Sequence, residues 1–153
     1  MALPTLRSLR GPGLSYRRLV VPLAAGPESE TAMEIASELA DEHGATISAV
    51  VVIEVPKQLP LDAHMLEEES DARKLLEEAR AIGASRGVAV RARVLRARKT
   101  GKTIINEAKN GDTDIVILRA PHSERRQRVF GKTATYVLQH APYRVLIVSP
   151  PPT

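Results

Sequence analysis

Between Leu118 and Ala134 the chain gathers groups that could hold an anion: Arg119, Arg125, Arg126, Arg128 and Lys132, with His122 among them and Glu124 as the sole acid. The segment leads into Gly131, from which the pattern predicts a helix running to His140. A helix N-terminus turns free N–H groups and the positive end of its dipole toward whatever sits there. Arginine adds charge-assisted, fork-shaped donors. The ligand chemistry suited by this combination is a phosphate, held by Gly131, Lys132 and Thr133, with Arg119 and His122 as added anion contacts.

Other chemistries fit less well. Gly-Lys-Thr occurs at 101–103 and again at 131–133, but a P-loop needs a glycine five residues before the second one. Those positions are Arg96 and Arg126, so neither match wraps a phosphate in bare backbone. There is no GxSxG elbow, and His43, His64 and His140 are scattered at helix ends, where structural or exposed roles are expected. No His, Asp and Glu cluster has metal-ligand spacing. With no cysteine there is no thiol nucleophile, disulfide or zinc–thiolate site, which suits a reducing compartment. The reading is non-catalytic and metal-free.

Composition narrows the partners. The 153 residues are 43% hydrophobic, enough for one domain with its own core, and no apolar run approaches the roughly 18 residues of a membrane span. Net charge is +4, and aromatic residues make up 3% of the chain, so stacking platforms for nucleic acid are lacking. Neither nucleic-acid binding nor membrane insertion is expected.

The elements that must position the basic segment alternate strictly. Residues 16–23 and 45–55 read as strands, the second apolar almost throughout and therefore central. Residues 88–97 form a third strand whose Arg91 and Arg93 suit an edge, and 115–118 and 145–148 are short buried strands. Helices are expected from Glu28 or Ser29 to His43, over 65–86, over 102–109 and from Gly131 to His140. This βαβαβαβαβ order predicts an α/β parallel sheet with helices on both faces. With strand order 3-2-1-4-5 the winding reverses between the first and fourth strands. That reversal brings the turn at 22–26 beside the segment 118–132. Residues 1–15 read as a flexible basic tail, 16–150 as the domain and 151–153 as a C-terminal tail.

Four stretches, YRRLVVPL, ISAVVVIEVP, DIVILRA and GKTATYVLQHAPYRVLIVSP, resemble the universal stress protein family over residues 16–150. The resemblance implies the adenine nucleotide alpha hydrolase-like fold, a five-stranded parallel sheet of order 3-2-1-4-5 with four helices. It also implies a dimer through the fifth strand, Val145 to Val148, and binding of ATP, AMP or a cyclic nucleotide without robust catalysis. Pro22, Val52 and Leu118 keep the character of the family's adenine slot. Ala24 stands where ATP-binding members carry an Asp. In their glycine pattern Arg119 replaces the first glycine, the second falls near Pro121 or His122, and Gly131 matches the last, followed by Lys132 and Thr133. Loss of a buried carboxylate-to-hydroxyl hydrogen bond costs on the order of 1–3 kcal/mol, so this glycine loop is degenerate. The ending FGKTATYVLQHAP and the loop EVPKQLPLDA are similar to family domains appended to amino-acid permeases. That similarity implies a cytoplasmic regulatory domain or, alternatively, a ligand-free module for dimerisation or for docking on a transporter.

Overall fold

A computed structural model describes residues 15–120 and 124–149, with the side chains of 124–130 outside the description. Most of the basic tail therefore lies outside it. The elements are β1 (Arg18–Leu23), α1 (Pro27–His43), β2 (Thr46–Glu54), α2 (Leu66–Ala84), β3 (Val90–Ala97), α3 (Thr100–Asn110), β4 (Ile115–Arg119), α4 (Glu124–His140) and β5 (Arg144–Val148). The five strands form one parallel sheet of order β3-β2-β1-β4-β5. The alternation predicted this architecture, and the arginine-bearing strand is an edge.

Side chains alternate across a strand, so each strand feeds two cores. Leu19 and Val21 of β1, Ile47, Ala49 and Val51 of β2, and Ile115 and Ile117 of β4 pack beneath α1 and α2. There they meet Met33, Ala36, Ala72, Leu76 and Ala79. Their neighbours Val20, Val50, Val116 and Leu118 face the other way, onto Ile104 and Ala108 of α3 and Ala134 and Val137 of α4. Ile47, Ile104 and Ile117 are fully buried, and burial of each such side chain contributes roughly 1.5–3 kcal/mol.

Local sequence signals set the ends. Glu28 and Glu30 in the first turn of α1 complement its dipole, and Gly44 closes it in the left-handed region at φ 65. The start of β1 is pinned to β4 by Asp114, whose carboxylate accepts from the amides of Arg17 (2.7 Å) and Arg18 (3.0 Å). The loop after β2 is tied down by Arg98, whose guanidinium donates to the carbonyls of Val55, Pro56 and Leu59.

The last helix differs from expectation. It begins at Glu124, not Gly131, so the segment read as a basic loop is largely helical. Gly131 lies inside that helix with φ 80, in the left-handed region. The glycine was the sequence's reason for a helix start; physically it is a break in the helix backbone that only glycine adopts without strain. Seven residues of polar, basic helix precede it, without an apolar stripe that periodicity could detect.

Candidate functional site

The β1–β2 ladder runs the length of β1, from Arg18 paired with Thr46 to Leu23 paired with Val51. The β1–β4 ladder pairs Leu19 with Ile115 and Val20 with Val116 and goes no further. Proline explains the difference. The carbonyl of Arg17 accepts from Thr46 in β2, while that of Arg18 accepts from Asp114 on the β4 side. Even-numbered residues of β1 therefore turn their backbone groups toward β4. Pro22 has no N–H to offer there. The two strands part, and a crevice opens at the carboxyl end of the sheet, where the winding direction reverses.

This crevice has a volume of about 180 Å³ and is lined by Pro22, Leu23 and Ala24 from the end of β1, Thr100 and Ile104 from α3, Leu118 and Arg119 from β4, and Gly131, Thr133 and Ala134 from α4. Beside it runs a groove of about 460 Å³ between α3 and α4 that shares Thr100, Gly131 and Thr133. The groove adds Glu54, Lys99, Lys102, Lys132, Tyr136 and Gln139. Together they offer a small slot of mixed polar and apolar lining that opens onto a trough carrying Lys99, Lys102 and Lys132. Glu54, the acid there, accepts a hydrogen bond from the Thr100 hydroxyl at 2.8 Å.

Of the residues singled out from sequence, Pro22, Ala24, Leu118, Arg119, Gly131 and Thr133 meet in the crevice. Lys132 is exposed and lines the adjoining groove. Val52 packs against the core beneath α3 and α4 and is not among the crevice-lining residues. His122 lies outside the described residues, as do the side chains of Arg125, Arg126 and Arg128. Gly131, Lys132 and Thr133 do not stand in the first turn of α4, which begins at Glu124; they follow the left-handed break within it. Among the described residues, the side chains that could meet an anion here include those of Arg119, Lys102, Lys132 and Thr133.

Arg119 is half-buried, and burial lowers its guanidinium pKa below the ordinary arginine value. Among the described residues no carboxylate pairs with it. A desolvated cation facing a crevice gains by meeting an anion. Opposite it, the turn after β1 is fixed by its own polar groups. Ser29, buried at the start of α1, accepts from the Ala24 amide and donates to the Ala24 carbonyl. Gly26 has φ 125, and a Cβ there would sit 2.4 Å from the Glu28 carboxylate. Sequence reading missed Ser29, Thr100 and Ile104. The available signal was Ser29 just after Pro27, in the first turn of a helix that follows a tight turn.

His43 and His140 occupy helix ends. His43 Nδ1 accepts from the Tyr16 amide at 3.5 Å, and His140 stacks on Tyr136 with ring centroids 4.2 Å apart. Among the described residues no group of three or more His, Asp or Glu is placed to hold a metal, and no helix is long and apolar enough to cross a membrane.

The parallel sheet with a crevice at its winding reversal defines an open, doubly wound α/β fold. The chain belongs to the universal stress protein family, whose model matches residues 15–149. No curated protein sequence matches it. Among solved structures, a universal stress protein from Archaeoglobus fulgidus in complex with dAMP is 20% identical, with 88% of this chain and 98% of that one covered and a TM-score of 0.69. A universal stress protein in complex with cAMP is 17% identical over 88% and 97% of the two chains, with a TM-score of 0.72. A family member from Arabidopsis thaliana with AMP bound is 16% identical over 87% and 91%, with a TM-score of 0.63. At such identities the likeness establishes the shared fold.

Proposed function

We propose that this chain is a non-catalytic regulatory domain that senses an adenine nucleotide, AMP, ATP or a cyclic form, in the crevice between β1 and β4. The observation that carries the reading is the parting of β1 and β4 at Pro22, with the cation of Arg119, which pairs with no carboxylate among the described residues, lining the gap. The crevice alone is smaller than a drug-sized ligand site of about 300 Å³ or more, but with the adjoining groove it has room for a nucleotide. Pro22, Leu118 and Ile104 suit the apolar part of the ligand, while Arg119, Lys102, Lys132 and Thr133 suit its phosphates. The fold-sharing proteins solved with dAMP, cAMP and AMP agree with that ligand class. Calorimetry with AMP, ATP and cAMP tests the idea. Saturable heat with one of them and no conversion of ATP is expected; no heat with any at millimolar ligand would end it.

The same reading includes a cytoplasmic homodimer. β5 is an edge strand, and Leu146 at its middle is 37% exposed. Pairing with a second copy would cover that edge. Light scattering is expected to show a dimer that Leu146→Lys converts to a monomer; a wild-type monomer at high concentration refutes it.

A second reading is favoured by Ala24 and Arg119, which stand where nucleotide-binding members of the family would carry a carboxylate and a glycine. In it the domain is a ligand-free interaction module that docks on a membrane transporter or another partner, as the likeness to permease-appended domains suggests. Absence of nucleotide heat from an intact dimer would select this reading.

A further inference from the structure

A second cleft opens at the opposite end of the sheet, among the amino ends of β1, β2 and β3, on the face that α3 partly covers. Its volume is about 340 Å³, the size of a small-ligand site. Arg18, Arg91 and Arg93 line it together with Ser48, Thr113 and Glu107. The register places these groups side by side. Val20, Ser48 and Arg91 form one row across three neighbouring strands, and Arg18 pairs with Thr46 one row below.

The three guanidiniums are held in different ways. Arg18 donates one N–H to the Gly111 carbonyl at 3.0 Å, which fixes its direction and leaves its other donors free to point elsewhere. Arg93 is paired with Glu107, the acid lining the cleft. Arg91 has no acid partner among the described residues. Three positive charges thus face one negative charge. At the same place the Thr113 hydroxyl oxygen is buried and has no hydrogen-bond partner among the described residues. Leaving a hydroxyl so is costly unless something completes it. Edge-strand protection explains an arginine on β3, but it does not explain why arginines from β1 and β3 line one cavity with Ser48.

We propose that this cleft binds a tetrahedral phosphoryl dianion, as inorganic phosphate or as the phosphate monoester of a small metabolite. The net charge lining the cleft, the forked geometry of guanidinium and the Ser48 hydroxyl match that group. The site lies at the other end of the strands from the β1–β4 crevice and stands or falls independently of nucleotide binding there.

The test is an amide-resolved NMR titration of the full chain with inorganic phosphate and with glycerol 3-phosphate, using chloride at matched ionic strength as the control. Saturable shifts are expected at Ser48, Arg91, Gly111 and Thr113, absent with chloride and weakened about tenfold or more in Arg91→Gln. Arg119→Met, which alters only the other end of the sheet, leaves them unchanged. Arg91 is exposed on an edge strand, so its variant keeps the fold, and a thermal melt verifies this. A monoester that binds more tightly than phosphate identifies a carried phosphoryl group; one that binds no more tightly identifies free phosphate. Shifts that match chloride, fail to saturate at tens of millimolar, or persist at full strength in Arg91→Gln overturn the proposal.

Discussion

The Ser29 hydroxyl makes two hydrogen bonds to one residue, Ala24: it accepts from the amide at 2.9 Å and donates to the carbonyl at 2.6 Å. The pair closes the turn by which β1 leaves the sheet, so the wall of the crevice is fixed before any ligand arrives. Ser29→Ala leaves both Ala24 groups without this partner. A loss of about 1–3 kcal/mol in urea unfolding is expected, with weaker nucleotide binding as the turn loosens. Unchanged stability would mean that water replaces the hydroxyl fully.

Arg119 makes the converse case, a charged group whose burial costs stability. Its folded-state pKa is lowered by burial, so charging it is penalised at every pH below that value. The penalty would lift only as pH rose through the folded pKa. Substitution is therefore the practical readout. Arg119→Met is expected to leave the melting temperature unchanged or raise it, while nucleotide affinity falls by about tenfold or more. A large loss of stability without ligand would show that the guanidinium is structural.

Ala24 lines the crevice with a methyl group where the family resemblance places a carboxylate. Ala24→Asp introduces an acceptor for a ribose hydroxyl, worth on the order of 1–3 kcal/mol. Calorimetric affinity for AMP is expected to rise by roughly one to two decades. No gain would mean that the nucleoside does not lie against this turn.

Much of this fold was readable in the chain because strand and helix periods are loud in it. Runs rich in Val and Ile such as 115–118 and alternations such as Val90, Ala92 and Val94 gave the strands, and the arginines of β3 marked an edge. The strand order brought Pro22 and Leu118 to one crevice because topology requires only that both lie at carboxyl ends on either side of the reversal. The start of α4 was not readable. Its first turns carry arginines instead of an apolar stripe, and the glycine that looked like a helix start is a left-handed break within it. Val52 was placed in the adenine slot by resemblance, but a strand residue's period fixes only its face, not its distance from a pocket. Arg91 was read as edge protection alone, because its row partner Ser48 is named by register and not by sequence.

Tyr143 gives a pH signature. Its phenol donates to the Ile105 carbonyl at 3.4 Å, and burial raises its pKa above the ordinary value of 10.0. A phenol whose folded pKa is raised contributes stability that is fully present below the unfolded value of about 10 and lost as pH rises through the folded one. Wild-type stability is thus expected to fall more steeply above about pH 10 than that of Tyr143→Phe. Ultraviolet titration should show a late-ionising tyrosine that the variant lacks. Parallel stability curves for the two proteins would place the phenol in water.

Gly83 shows how closely α2 sits on β3. A Cβ at this position would lie 2.4 Å from Val90 Cγ2 and 3.1 Å from the Val88 carbonyl oxygen. Within a helix, Gly→Ala ordinarily gains about 1 kcal/mol. Here overpacking opposes that gain, and at 2.4 Å from a branched side chain on a strand the clash wins. Gly83→Ala is expected to destabilise by about 1–3 kcal/mol. In a Val90→Ala background the nearest atom is gone, and the same change should cost less than about 1 kcal/mol, a coupling that urea unfolding of the four proteins measures. An equal penalty in both backgrounds would put the strain on the Val88 carbonyl, and hence on the turn that leads into β3 instead of the side-chain contact.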